Sequence, residues 1–280
     1  MFGAPAGPQA QGRGEVVFRI CKFIVLIEEC VVMPKLADKI ALVTGASRGI
    51  GRASALALAN EGAHVIAHYN RAGDEAQALV NEIRSMGGKA EAIGTDLAAA
   101  DGAHQLAAKV REIAGKKLDI IVANAGIAKS ATIAELTVDE FDKLFAVNVR
   151  APYFLVQQLL PLLTEGSSII MVSSIATRTV VGNLSAYSAT KGAISTLVKH
   201  FAVALGANGI RVNGVAPGVI DTDMSSFTRT EEGREFVLSI QTLKRIGKAD
   251  DVGAVVAFLA SDDARWITGE ILEVSGGSRL

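Results

Sequence analysis

Residues 39–62 read KIALVTGASRGIGRASALALANEG. Ile40–Val43 is an apolar run too short for a helix, and Gly45, Gly49 and Gly51 break the chain directly after it. From Ile50 the recurrence of Ala and Leu predicts a helix, which Gly62 ends. The unit is therefore strand, glycine-rich turn, helix. The pattern repeats down the chain. HVIAHY at 64–69 predicts a strand, and Ala76, Leu79, Val80 and Ile83 mark one face of a helix. AEAIGTDL at 90–97 is followed by a helix around 101–114, LDIIVANAG at 118–126 by one long helix around 138–163. SSIIMVSS at 167–174 precedes a helix from about Ala186 to Leu205, GIRVNGVAPG at 209–218 one around 250–260, and EILEVSGG at 270–277 closes the series. Seven short apolar strands alternating with helices imply crossover connections and a parallel sheet covered on both faces. The expectation is one doubly wound α/β domain over residues 35–280.

Residues 1–34 stand apart. MFGAPAGPQAQGRGE has a composition that rarely folds alone, and the apolar run after it is interrupted by Arg19, Lys22, Glu28 and Glu29. Met33-Pro34 followed by KLADKIALVTG has the look of a natural beginning, so residues 1–34 are expected to be an extension outside the core. No stretch resembles a clean signal core, and none is an uninterrupted apolar window of spanning length, about 18 residues.

The 280 residues carry 28 Lys+Arg against 29 Asp+Glu, a formal net charge of -1. That balance, with 5% aromatic residues, argues against a nucleic-acid or anionic-membrane binder. Two cysteines, Cys21 and Cys30, make neither a disulfide framework nor a zinc cluster. The four histidines, His64, His68, His104 and His200, are scattered and are read as surface or packing residues, so no metal is expected. A cytoplasmic enzyme fits these limits.

Two constellations carry chemistry. Glycines in TGASRGIG, residues 44–51, allow close backbone approach, and the following helix aims its unpaired N–H groups and positive dipole end at the same space. The spacing suits a pyrophosphate but is neither GxGxxG nor a P-loop, and no Lys follows. The second strand ends His68-Tyr69-Asn70-Arg71 without a carboxylate for a ribose 2′-OH. Arg48 and Arg71 are thus expected to clamp a 2′-phosphate, making NADP(H) the preferred cofactor and NAD(H) the alternative. Tyr187 and Lys191, at i and i+4 near the start of a helix, lie about 6 Å apart at Cβ. Bringing a phenol of pKa near 10 to neutrality takes roughly 3 units, about 4 kcal/mol. One cation at ~4 Å supplies that order of energy at an effective dielectric of ~20. The pair can serve as a proton donor and acceptor for carbonyl–alcohol chemistry.

These motifs, in order and in register over about residues 36–278, resemble the short-chain dehydrogenase/reductase family. The resemblance rests on TGASRGIG, Asp96-Leu97, Asn124-Ala125-Gly126, Asn148, Ser174, Tyr187 with Lys191, and the run Pro217 to Thr222. It implies a Rossmann-type fold and a catalytic set of Asn148, Ser174, Tyr187 and Lys191. Tyr187 would exchange the proton, Lys191 would lower its pKa and hold the nicotinamide ribose, and Ser174 would bind the substrate oxygen, with Ser173 the runner-up. Asn148 would order a water linking Lys191 to solvent. For the cofactor it implies Gly45, Ser47, Arg48, Gly49, Ile50 and Gly51 at the pyrophosphate. Tyr69, Asn70 and Arg71 would lie at the adenosine end. Asp96 and Leu97 would lie by the adenine, and Asn124, Ala125 and Gly126 beside the central sheet. Pro217, Gly218, Ile220 and Thr222 would face the nicotinamide. Ala123, where many relatives carry Asn, is a tolerated departure.

The resemblance also implies a substrate lid over about 220–247 and a homotetramer. Met224, Phe227, Phe236, Val237, Leu238, Ile240 and Leu243 give the lid apolar surface for a small-molecule carbonyl. The flavour is closest to 3-oxoacyl-carrier-protein reductases and broad-range ketone or sugar dehydrogenases. Leu163-Thr164-Glu165-Gly166 and Ala207-Asn208-Gly209 lack the basic residues expected to grip an acidic carrier protein. A free carbonyl substrate is therefore favoured over the carrier-bound thioester. A non-catalytic NADP(H) sensor is disfavoured by the presence of both Tyr187 and Lys191.

Overall fold

The computed structural model describes residues 34–279, with Met1 and Gly3. The chain divides into two units, Met1–Met33 and Pro34–Leu280, the second being the α/β domain. The expected extension, apart from Met1, Gly3 and Pro34, lies outside the described residues.

In chain order the first half runs β1 (Ile40–Val43), α1 (Gly49–Asn60), β2 (His64–Tyr69), α2 (Gly73–Ser85), β3 (Ala90–Gly94), α3 (Gly102–Ala114) and β4 (Ile120–Ala123). The second runs α4 (Val138–Phe145), α5 (Ala151–Leu159), β5 (Ser168–Val172), α6 (Ser185–Gly206), β6 (Arg211–Pro217), α7 (Glu231–Ile240), α8 (Ala249–Ala260) and β7 (Ile271–Val274). All seven strands form one parallel sheet in the order β3-β2-β1-β4-β5-β6-β7. This is the expected doubly wound, Rossmann-type architecture. Strand order reverses at β1, whose neighbours are β2 and β4, and the crevice at that point is where such sheets bind ligands.

Alternation along the strands builds a core on each face. Ala41, Val43, Val65, Ala67, Val122 and Val172 point into one cluster with α1, α2 and α8. Leu42, Ile66, Ile121, Ile169 and Met171 point into the other, with α3, α5 and α6. Both faces being covered, the strands read as near-continuous apolar runs.

The single helix expected over 138–163 is instead interrupted. A π-helical turn, Ala146–Arg150, separates α4 from α5, and a 3-10 turn, Leu160–Leu162, ends it. Pro152 supplies the physical reason, because it has no N–H to donate to the Asn148 carbonyl and its ring crowds that oxygen. Along the face holding Val149, Tyr153, Val156 and Leu160, Val156 enters the core and Leu160 packs partly against it, while Tyr153 is exposed. The face is thus shared between the sheet and solvent. Among the described residues no helix is long and apolar enough to cross a membrane.

Candidate active site

The residues singled out from the sequence lie at the carboxyl ends of β1 to β6, joined by Asn148 from the π-turn and by Tyr187 and Lys191 from α6. The glycine turn leaves β1 and is fastened to β4. Thr44 Oγ1 accepts from the amides of Asn124, at 3.0 Å, and Ala125, at 2.9 Å. Asn124 Nδ2 donates to the carbonyls of Thr44, at 2.8 Å, and Gly45, at 3.2 Å. Gly45 sits at φ +66, and a Cβ on Gly51 would lie 2.1 Å from the Gly45 carbonyl oxygen, so both positions require glycine. The first turn of α1 contains no acidic residue, and its N-cap, Arg48, supplies no side-chain bond. Its amides are left for an anion.

At the far end of this crevice the Tyr69 ring packs over Gly94 and Gly73. Asp96 Oδ1 accepts from the Ala98 amide at 2.9 Å and from Asn70 Nδ2 at 3.4 Å. Arg48 and Arg71 are both exposed. Arg48 Nη1 lies 3.4 Å from Asp223 Oδ2, an exposed pair that contributes little. Asp223 is a neighbour that motif reading missed. It opens the helical part of the segment expected to form the lid, a 3-10 stretch Asp223–Arg229 followed by α7. Thr222 stands against Gly49, so the lid is rooted beside the glycine turn. Val237 is buried and packs the lid down, whereas Met224, Phe227, Phe236 and Leu243 remain exposed.

Ser174 follows β5 as the cap of a 3-10 turn, its Oγ accepting from the Ala176 amide at 3.1 Å. The Ser174 side chain acts on the Tyr187 phenol, from the start of α6, in the direction that lowers its pKa. Ser173 is committed elsewhere: buried, it meets Ser195 Oγ at 2.7 Å and donates to the Lys191 carbonyl at 3.2 Å. Between the two serines, Ser174 is the one that faces Tyr187. Lys191 Nζ donates to the Val172 carbonyl at 2.8 Å and lies 5.8 Å from the Tyr187 ring centroid. A Cβ on Gly126 would stand 3.4 Å from Asn148 Oδ1 and 3.5 Å from Lys191 Nζ, so all four expected catalytic side chains gather at one place.

Asn148 lies in the π-turn and is 1% exposed. Its Oδ1 accepts from the Ile127 amide at 2.9 Å, and its Nδ2 donates to the Ile127 carbonyl at 2.9 Å. Nδ2 also donates to Thr190 Oγ1 at 3.0 Å, and that hydroxyl donates to the Tyr187 carbonyl at 2.6 Å. The Asn148 side chain is thus occupied by protein groups. Sequence reading missed Thr190, and its place directly before Lys191 was the available signal.

Burial dominates the electrostatics. Desolvation pushes the Lys191 ammonium down to about 8. Although the Tyr187 side chain is only partly buried as a whole, its hydroxyl end is enclosed, and desolvation pushes the phenol up against the lowering effect of Ser174. The lowering expected of Lys191 does not emerge: burial is the larger cause of the Tyr187 shift, and only Ser174 opposes it. Among the described residues no group of three or more His, Cys, Asp or Glu could hold a metal.

The segments expected to bear on carrier-protein docking are elsewhere. Residues 163–166 and 207–209 precede β5 and β6, joined by the Gly166 amide donating to the Gly209 carbonyl at 3.0 Å. In a parallel sheet that is the end opposite the site, so their lack of basic residues carries no weight on the substrate.

Residues 45–279 match the family model described as enoyl-(acyl carrier protein) reductase. Versicolorin reductase of Emericella nidulans is 41% identical over 258 residues, covering 87% of this chain and 97% of that protein. The angucycline C-6 ketoreductase LanV with bound NADP superposes with a TM-score of 0.83 at 39% identity, covering 88% of this chain and 97% of its own. A short-chain dehydrogenase from Burkholderia cenocepacia in complex with NADP gives 0.84 at 39% identity, over 88% and 100% of the two chains.

Proposed function

The chain belongs to the short-chain dehydrogenase/reductase family, and we propose that it is an NADPH-dependent reductase converting a bulky apolar ketone to a secondary alcohol. The observation that carries this reading is the meeting of Ser174, Tyr187, Lys191 and Asn148 beside the glycine turn at the sheet's reversal point. One domain over 35–280 performs the reaction, with 220–247 as its lid.

The glycine turn fits a dinucleotide pyrophosphate, since the first turn of α1 has no acidic residue and no side-chain cap and so leaves its amides for an anion. Gly45, Ser47, Gly49, Ile50 and Gly51 hold the pyrophosphate through backbone amides and the dipole of α1. Arg48 and Arg71 take the 2′-phosphate, with Tyr69 and Asn70 beside them. Asp96 and Leu97 border the adenine. Asn124, Ala125 and Gly126 shape the floor, and Pro217, Gly218, Ile220 and Thr222 flank the nicotinamide. The chemistry a nicotinamide supplies there is hydride donation to a carbonyl carbon. Ser174 Oγ binds the carbonyl oxygen, and Tyr187 Oη delivers its proton to that oxygen. Lys191 Nζ holds the ribose hydroxyls and stabilises the phenolate left behind. Asn148 positions Lys191 and α6 through Ile127 and Thr190.

Support for a bulky, ring-containing ketone comes from the two reductases of that kind, for versicolorin and for an angucycline, and from the exposed apolar lid residues. NADP in two neighbours supports the coenzyme. Exposed Tyr153 and Phe154 border a groove of about 670 Å³ between α5 and α6, which fits burial in a homotetramer. The test is NADPH consumption with polycyclic aromatic ketones, simple ketones, aldehydes and a 3-oxoacyl thioester. Preference for the polycyclic ketones is expected. Preference for the thioester would return the substrate to the carrier-protein class, and binding of NADPH without turnover of any carbonyl would favour a sensor.

A further inference from the structure

His68 is the second-last residue of β2, in the apolar run HVIAHY, and is 2% exposed. Both ring nitrogens are engaged. The Gly45 amide donates to Nδ1 at 3.2 Å, and Nε2 lies 3.0 Å from the Thr95 carbonyl. An amide can only donate and a carbonyl can only accept, so the ring is neutral with its proton on Nε2. Burial pushes its pKa down to about 4, and Lys109, whose ammonium bonds the Gly94 carbonyl at 2.6 Å, adds a like charge in the same direction. The ring therefore keeps this form at neutral pH.

The residue's backbone acts on the same turn, because the Ala46 amide donates to the His68 carbonyl at 2.8 Å. One residue thus takes two consecutive amides of the glycine turn, and its ring reaches the residue before Asp96. Gly45 is the first of the turn's two left-handed positions, so holding its amide decides which way the next amides face. We propose that His68 is a positioning residue for the coenzyme site, its Nδ1 holding the Gly45 amide so that the glycine turn is already shaped for a pyrophosphate before the coenzyme arrives. The inference rests on the reading of this crevice as an NADPH site.

Two substitutions separate the two bonds. His68→Asn puts an amide oxygen where Nδ1 stands, whereas His68→Gln reaches Thr95 as Nε2 does and leaves the Gly45 amide without an acceptor. NADPH affinity is measured by fluorescence titration of the full chain for wild type, Asn, Gln and Ala variants. Steady-state kcat at saturating NADPH and hydrogen exchange of the Gly45 amide without coenzyme accompany it. His68→Asn is expected to bind NADPH within roughly threefold of wild type, and the Gln and Ala variants roughly tenfold or more weaker, the range of one lost buried bond. All should keep kcat, and Gly45 should be protected only in wild type and Asn. Equal affinity in all four proteins, or retention by Gln and loss by Asn, would overturn the proposal. A wild type that binds no NADPH yet shows this exchange pattern would overturn the coenzyme reading and leave His68 as the residue that sets the turn. Thermal unfolding of each variant identifies any that fails to fold, and the Asn–Gln pair keeps the comparison if Ala does.

Discussion

The Lys191 ammonium lies 5.8 Å from the centre of the Tyr187 ring, within cation–π range, and is held there by the Val172 carbonyl. A buried cation is costly. With its pKa lowered from 10.5 to about 8, the folded state at pH 7 carries a penalty of about 3 kcal/mol, at 1.36 kcal/mol per unit. Between the two values the unfolded chain binds more protons, so stability rises with pH from about 8 to 10.5 and the penalty is fully present below 8. Lys191→Met is expected to stabilise the coenzyme-free protein at pH 7 by about 1–2 kcal/mol, after the lost hydrogen bond. It should flatten that rise and reduce turnover about 10²- to 10⁴-fold. Urea unfolding across pH 7–10, beside activity, checks both; a less stable variant would contradict the assignment of the penalty to Lys191.

Thr190 joins Asn148 to the carbonyl of Tyr187. Thr190→Val removes the hydroxyl and takes one hydrogen bond each from Asn148 Nδ2 and the Tyr187 carbonyl, so kcat should fall roughly tenfold or more at nearly constant KM. Thr190→Ser keeps the bonds and should recover most of the rate. Equal loss in both variants would mean that the methyl group, and so packing, matters instead.

In the proposed coenzyme site Arg48 would exchange Asp223 for a 2′-phosphate when NADPH binds, with Arg71 sharing the load. Arg71→Glu should lower the NADPH-to-NADH preference in kcat/KM by about tenfold or more, the scale of one charge-assisted contact. Unchanged preference would remove Arg71 from the phosphate site.

Phe154 is exposed and meets Tyr153 edge to face at the edge of the groove between α5 and α6. Phe154→Glu places a charge where a partner copy would bury it, and light scattering should find a smaller assembly than wild type. An unchanged mass would move the interface elsewhere.

The sheet was legible in the sequence because parallel strands covered on both faces are uniformly apolar and the glycines fall where β1 must turn into α1. Tyr187 and Lys191 were legible as an i, i+4 pair and Ser174 through the family resemblance, and the structure brings them together. The break at Asn148 was not, since 138–163 is helical in composition and only Pro152 betrays the missing donor. His68 looked like packing because a lone histidine in an apolar run carries no periodic signal; its role depends on Gly45 and Thr95, which come from other strands. The direction of the Tyr187 shift could not be read from an i, i+4 pair, because burial is a property of the whole fold.

The most direct test of the proposed chemistry is Tyr187→Phe, assayed for NADPH binding by fluorescence and for turnover with the best ketone of the panel. Loss of the hydroxyl should reduce turnover by about 10³-fold or more, since the Ser174 hydroxyl at the same oxygen is too weak an acid to replace the phenol, while NADPH affinity stays within about threefold. A variant that keeps wild-type turnover would contradict Tyr187 as the proton donor and with it the proposed reaction.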